Sequence, residues 1–146
     1  MIRYETDDPT TLAGRTAFGE ARGEPWEGKV AVCHVLLTRQ LDGRHGPTIR
    51  DVALRRAQFS CFLPGPHRAA VDAFPLGRGE ERAAGECLRA AVAVLAGRLP
   101  DPTHGATHYL ARKLYDSPKC PKWAKEPPVK VSAEIGQHVF LVWVRW

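Results

Sequence analysis

The sequence predicts an α+β domain, helical first and β-rich at its end. Three observations carry this reading. Apolar residues recur at helical spacing in three stretches before Gly97, and strand-forming residues concentrate after Gly105. A length of 146 residues with 44% apolar and 25% charged residues suits one folded unit spanning 1–146. That composition excludes wholesale disorder, a collagen-like repeat and a coiled coil.

Asp8-Pro9-Thr10 or Thr10-Thr11 supplies N-cap chemistry for a first helix, in which Leu12, Ala13, Thr16 and Ala17 share a face until Gly23 and Pro25 interrupt it. A second helix starts near Glu24-Pro25, with the proline in its first turn, and continues through Val30, Ala31, Cys33, His34, Leu36 and Leu37 toward Leu41. It is apolar around most of its girth and is expected to be buried. After the turn-rich Asp42 to Pro47, Thr48 caps a brief helix through Asp51, Val52 and Leu54. Gln58 to Gly79, with Pro64-Gly65-Pro66 and Pro75, reads as an irregular excursion. Glu80-Glu81 opens the third major helix and places acid at its positive end, and Gly97 followed by Pro100 closes it. Thr107 and Tyr109 lie in an expected strand, and Val129 to Ala133 with His138 to Val144 form an expected terminal hairpin.

Lys+Arg 21 against Asp+Glu 16 gives a net charge of +5, which draws a protein to polyanions such as nucleic acid or a bacterial envelope. The arginines are scattered, with clustering only at Arg55-Arg56 and Lys119 to Lys130. Met1-Ile2-Arg3-Tyr4-Glu5-Thr6-Asp7-Asp8 is acidic where an export signal starts basic, so no signal peptide is expected. The apolar runs Val30 to Leu37 and Ala90 to Ala96 are far shorter than the ~20 residues of a membrane span. Cys33, Cys61, Cys87 and Cys120 show no CxxC pairing and are few for a disulfide scaffold, which reads as a reduced, cytoplasmic chain.

Glu20 is the leading candidate for chemistry. It lies four residues beyond Thr16 and eight beyond Leu12, and so continues the face that the first helix turns inward. A carboxylic acid withdrawn from water keeps its proton to higher pH, as a general acid requires. The spacing alone equally permits an ion pair with Arg15 or Arg22.

Around Glu20 stands Gly19-Glu20-Ala21-Arg22-Gly23-Glu24. Gly28-Lys29-Val30-Ala31-Val32, Gln58-Phe59-Ser60-Cys61, Gly105-Ala106-Thr107-His108-Tyr109 and Ile135-Gly136-Gln137-His138-Val139-Phe140 follow in order. This succession, from Leu12 to Phe140, resembles the SleB/CwlJ-type cell wall hydrolases, the family of spore-cortex-lytic enzymes and related phage lysins. The resemblance implies a lysozyme-like or lytic-transglycosylase-like domain with a small C-terminal antiparallel hairpin or sheet. It also implies cleavage of peptidoglycan between N-acetylmuramic acid and N-acetylglucosamine, with Glu20 as the catalytic acid and later the base. No cofactor and no metal are implied.

One carboxylate suffices for a transglycosylase that closes an anhydro ring. A hydrolase requires a second one, ~5–5.5 or ~6.5–9.5 Å away, and Glu24, Asp51, Asp72 and Asp116 are all available. Gln58 and Ser60 offer hydrogen bonds to an acetamido sugar, as do Thr107, His108 and Tyr109. In a strand Thr107 and Tyr109 face one way and His108 the other, so only one set lines the cleft. His108 and His138 are each either site residues or buried histidines bonded to backbone. Phe59 and Trp123 offer rings for sugar faces or for packing. Leu110 replaces a histidine common in the family, Gln137 a glycine and Leu141 an aromatic, all outside the immediate frame of Glu20.

An Arg- and Ala-rich chain with neither a leader nor a wall-binding repeat resembles a phage or prophage endolysin. Such a lysin is expected to act as a monomer and to reach the wall when a holin opens the membrane. His104 and His108 stand four apart, but Gly105-Ala106-Thr107 between them is not a helical zinc motif, which disfavours a zinc amidase. A helix-turn-helix around Gly23 is the alternative reading, but its second helix is too apolar for a DNA groove, so no nucleic acid partner is expected.

Overall fold

The computed structural model of the protein describes residues 4–55, 58–76 and 79–143. Val144 of the expected hairpin, Arg56 of the arginine pair and Met1-Ile2-Arg3 of the acidic start lie outside them.

Helices dominate the first part. Helix α1 (Pro9–Ala21) starts at Asp8, whose carboxylate accepts from Thr11 N at 2.7 Å. It is buried around nearly its whole girth, from Leu12 to Gly19, because α2 (Trp26–Asp42), α3 (Ile49–Leu54) and α5 (Glu81–Leu95) all pack on it. Gly14 permits the α5 contact, since a Cβ there would come within 3.3 Å of Leu88 Cα and 3.0 Å of the Phe74 ring. Leu12, Phe18, Leu36, Val52, Val71 and Val94 are fully enclosed, each such side chain worth about 1.5–3 kcal/mol when withdrawn from water.

The sequence-predicted helices are present with small differences. Pro25 is the N-cap of α2 and precedes its first turn. Gly43 ends α2 in the left-handed conformation, φ 86°, its N–H donating to Arg39 O. The excursion after Gln58 is more ordered than its prolines suggest, containing a 3-10 turn at Ser60–Phe62 and helix α4 (Arg68–Ala73). His67 to Phe74 is free of proline and glycine, Arg68 and Asp72 pair at i,i+4, and Val71 and Phe74 are buried. Arg15 on α1 fastens this segment by donating to Val71 O at 2.6 Å and Phe74 O at 3.1 Å while pairing with Asp7 at 2.8 Å. The Tyr4 hydroxyl donates to Asp72, which docks the chain start onto α4.

A three-stranded antiparallel sheet follows, in the order β1-β3-β2. Its strands are β1 (His108–Ala111), β2 (Val129–Ile135) and β3 (His138–Trp143), with the short helix α6 (Arg112–Tyr115) after β1. Thr107 precedes the strand it was expected to join, though its N–H extends the ladder to Leu141 O at 3.0 Å. The hairpin turn is tighter than expected, with only Gly136-Gln137 between β2 and β3. Register pairs Tyr109 with Phe140 and His108 with Leu141, giving the sheet two distinct faces. Tyr109, Ile135 and Phe140 face the helices and pack with Ala31 and Val35. On the far face Leu110, Trp123, Val129, Val139 and Leu141 pack together, and His108 meets Trp123 and Trp143 at 5.3 Å. Leu110 and Leu141, two of the departures from the family pattern, therefore belong to the far face.

Burial, reinforced by Arg39, His45 and Arg44, pulls His108 from its ordinary 6.5 down to about 3. Between those values the unfolded chain binds a proton that the folded chain refuses, so stability falls as pH falls through that window. The urea midpoint of the wild type is expected to drop more steeply between pH 6.5 and about 3 than that of His108→Gln. Parallel curves contradict this.

Candidate active site

Glu20 sits in the last turn of α1, half-buried, on the wall of an open groove of about 310 Å³ shared with Gly19, Arg22, Gly23, His67 and Glu80. Neither neighbouring arginine is its ion-pair partner. Arg15 is engaged by Asp7, while Arg22 pairs with Glu80 at 3.3 Å and lies 3.2 Å from His67 Nδ1.

The partners of Glu20 come from distant parts of the chain. Cys61 N donates to its Oε1 at 3.2 Å, and the Cys61 thiol lies beside the same carboxyl group. The Tyr109 hydroxyl, arriving from β1, lies beside the same carboxyl group. Gly19 makes the first contact feasible, since a Cβ there would fall 2.5 Å from Cys61 Cβ and 2.6 Å from its Sγ. The glycine before the glutamate thus lets the Ser60–Phe62 turn close onto α1.

Burial raises the Tyr109 phenol well above its ordinary value, with the Glu20 charge adding to the effect. Burial likewise holds the Cys61 thiol above its ordinary range, again with Glu20 contributing. Both groups are therefore neutral at physiological pH. Behind them lies Arg39, buried on α2, whose Nε donates to Thr107 O at 2.6 Å and whose Nη1 reaches Gln58 Oε1 at 3.5 Å. Its guanidinium covers the Phe59 ring at 5.2 Å. Burial lowers its pKa to about 10, partly offset by the Glu20 charge.

The sequence-predicted residues divide into groups. Tyr109 reaches Glu20, and Gln58, Phe59 and Ser60 lie on the segment leading to Cys61, with Phe59 buried and Gln58 and Ser60 exposed. Thr107 is buried, and its Oγ1 accepts from Trp143 N at 3.2 Å. His138 packs beside Tyr109, ring centroids 5.1 Å apart. His108 and Trp123 lie on the far face of the sheet, where Trp123 stacks on Trp143 at 5.2 Å. A second concavity, about 700 Å³ and lined by Arg44, His45, Arg50 and Arg55, contains none of these residues.

Sequence reasoning missed Cys61 and Arg39. A backbone N–H has no side-chain signature, but Arg39 had one, since it continues the buried face of Ala31 and Val35 at four-residue spacing. Among the described residues, no group of three or more His, Cys, Asp and Glu is placed to hold a metal ion, and no helix is long and apolar enough to cross a membrane. All four cysteines are free thiols.

Comparison with known proteins decides the family. The family model described as Cell Wall Hydrolase matches residues 23–141. The chain belongs to this family, of the SleB/CwlJ type. A relative described as a spore cortex-lytic enzyme from Halalkalibacterium halodurans is 32% identical over 135 residues, covering 92% of this chain. The aligned part is 35% of that protein, so the chain spans about a third of its length. The catalytic domain of the Bacillus cereus SleB protein superposes with a TM-score of 0.59 at 25% identity, over 90% of this chain and 88% of that one. The catalytic domain of SleB from Bacillus anthracis, described as a germination-specific lytic transglycosylase, gives 0.63 at 24% identity, over 90% and 92%. The mostly helical body with its small terminal sheet is thus the fold of the SleB catalytic domains.

Substituting Gly19→Ala forces the Cys61 turn away from α1 and breaks the N–H contact to Glu20. The expected outcome is a stability loss of about 1–3 kcal/mol by urea unfolding, with reduced release of fragments from cell walls. Unchanged activity in a folded variant contradicts the importance of that contact.

Proposed function

We propose that this chain cleaves peptidoglycan glycan strands between N-acetylmuramic acid and N-acetylglucosamine, with Glu20 as the single catalytic acid and base. The observation that carries this reading is a carboxyl group on the wall of an open groove, held by the Cys61 N–H, flanked by the Cys61 thiol and the Tyr109 phenol, and in no ion pair within its own helix.

Protonated Glu20 donates its proton to the glycosidic oxygen as the C1–O bond breaks and positive charge develops on the muramoyl ring. The resulting carboxylate then takes the proton of the C6 hydroxyl, whose oxygen bonds to C1 and closes the 1,6-anhydro ring. Each turnover returns Glu20 to its starting form. The partners suit this alternation because a phenol and a thiol both donate to a carboxylate and, by rotation, accept from a carboxylic acid. Gln58 and Ser60 are the residues we assign to the acetamido sugar, on the evidence of their exposure beside the Cys61 turn.

Hydrolysis is the second reading, and one observation favours it: Glu80 lines the same groove and, though paired with Arg22 at 3.3 Å, is 46% exposed at its side chain. The four carboxylates considered from sequence are committed elsewhere. Asp51 accepts from Thr48 Oγ1 at 2.6 Å, Asp72 is bound by Tyr4 and Arg68, Asp116 pairs with Arg112, and Glu24 accepts from Gln137 N.

The physiological setting we infer is that of a phage or prophage endolysin acting once a holin opens the membrane. A net charge of +5 suits an anionic envelope. A holin gene beside the coding sequence supports this setting, and a germination operon overturns it.

Mass spectrometry of fragments released from purified peptidoglycan tests the chemistry. Anhydromuramic ends are expected from the wild type, falling at least ~100-fold in Glu20→Gln, which keeps shape and loses the transferable proton. Hydrated reducing ends point to hydrolysis, and undiminished cleavage by Glu20→Gln removes Glu20 from the mechanism.

A further inference from the structure

We propose that Glu24 and His138 are positioning residues that hold Tyr109 against Glu20, acting through the hairpin turn and not on the sugar. The inference deepens the proposed function and rests on Glu20 being its acid.

Glu24 lies in the connection between α1 and α2, four residues after Glu20, with its side chain only 10% exposed. It is absent from the residues lining the groove beside Glu20. Its Oε1 accepts from Gln137 N at 2.8 Å, a contact spanning 113 positions of sequence, and lies 3.0 Å from His138 Nδ1. The turn is shaped around this carboxylate. Gly136 adopts φ 55°, which favours glycine, and a Cβ there would approach the two Glu24 oxygens at 2.9 and 3.0 Å. Gln137 contributes only its backbone to this contact, which explains how the chain accommodates glutamine at that position.

From the turn the contacts lead back to the acid. The His138 ring meets Tyr109 edge-on at 5.1 Å, and Phe140 closes the other side, 5.6 Å from Tyr109 and 6.1 Å from His138. Tyr109 pairs with Phe140 across the ladder and packs against the core of Ala17, Ala21 and Cys61, which brings its phenol beside Glu20. Glu20 and Glu24 are thus the two ends of a closed circuit that joins α1, the turn and β1. The backbone between them is itself fixed, because Glu24 N donates to Ala21 O at 2.9 Å and Lys29 Nζ donates to Glu24 O while pairing with Glu86. Releasing the turn lets β1 shift relative to α1, and a displacement of about 1 Å at a reacting group costs on the order of 100-fold in rate.

The test is steady-state kinetics on soluble, uncrosslinked glycan strands prepared from amidase-treated peptidoglycan, using Glu24→Ala, Glu24→Gln, His138→Ala and Glu20→Gln. Glu24→Ala is expected to lower kcat about 100-fold with KM within about three-fold, because it releases the acid without touching substrate. Glu24→Gln, whose amide oxygen still accepts the Gln137 N–H, is expected to recover kcat to within about ten-fold of wild type. His138→Ala is expected to lose kcat with KM unchanged.

Wild-type kcat in Glu24→Ala or in His138→Ala overturns the proposal. Loss confined to KM overturns it in favour of sugar contact, and Glu24→Gln as inactive as Glu20→Gln overturns it in favour of a second catalytic carboxylate. If near-ultraviolet circular dichroism shows Glu24→Ala unfolded, the rescue by Glu24→Gln and the kcat loss of His138→Ala decide the matter. Glu20→Gln separates the two levels: its full activity defeats the proposed function itself, whatever the Glu24 variants do.

Discussion

A carboxyl group that gives up a proton and takes one back within a single turnover needs a fixed position but not a fixed charge. An intimate ion pair satisfies only the charged form, whereas a phenol, a thiol and one backbone N–H hold the group in place while leaving its proton free to move. Glu20 has an environment of the second kind, with the Cys61 N–H bonded to it and the Cys61 thiol and Tyr109 phenol beside it. Much of the fold follows from it: Gly19 is needed so that the Cys61 turn can close, and β1 must cross the helices with Tyr109 pointing inward. The arginines nearest in sequence are diverted to Asp7 and Glu80.

The buried cation Arg39 completes the arrangement from behind. It ties α2 to the backbone just before β1 through Thr107 O and covers Phe59 on the segment leading to Cys61. One side chain thereby joins the two segments that deliver the partners of Glu20. A guanidinium suits this role because its donors are spread in a rigid plane, so it can reach a carbonyl and an amide oxygen while its face stacks on a ring. Burial of Arg39 costs solvation, and the nearby Glu20 carboxylate offsets part of that cost.

Helix α1 was legible because Leu12, Thr16 and Glu20 repeat at four-residue spacing after two candidate caps, of which the structure uses Asp8. The terminal hairpin was legible from its valines and its glycine turn, though its two-residue loop was not, because Glu134 and Ile135 look like turn approach and are ladder residues. Helix α4 was hidden between prolines that bound it without entering it. Alternation along a strand gives two faces but not which one is inward, so the choice between Tyr109 and His108 needed the register with β3. Trp123 carried the same ambiguity, and its stack on Trp143 belongs to the far face. The Cys61 N–H and the Glu24 contact to the turn are backbone matters, visible only once distant segments meet.

The most direct test of Glu20 as the reacting acid is a crystal structure of the Glu20→Gln protein with an uncleaved glycan strand bound. The strand is predicted to occupy the groove of Arg22, His67 and Glu80, with a muramoyl glycosidic oxygen ~2.6–3.2 Å from the side chain at position 20. A strand seated instead across Trp123 and Trp143, on the far face of the sheet, contradicts the account.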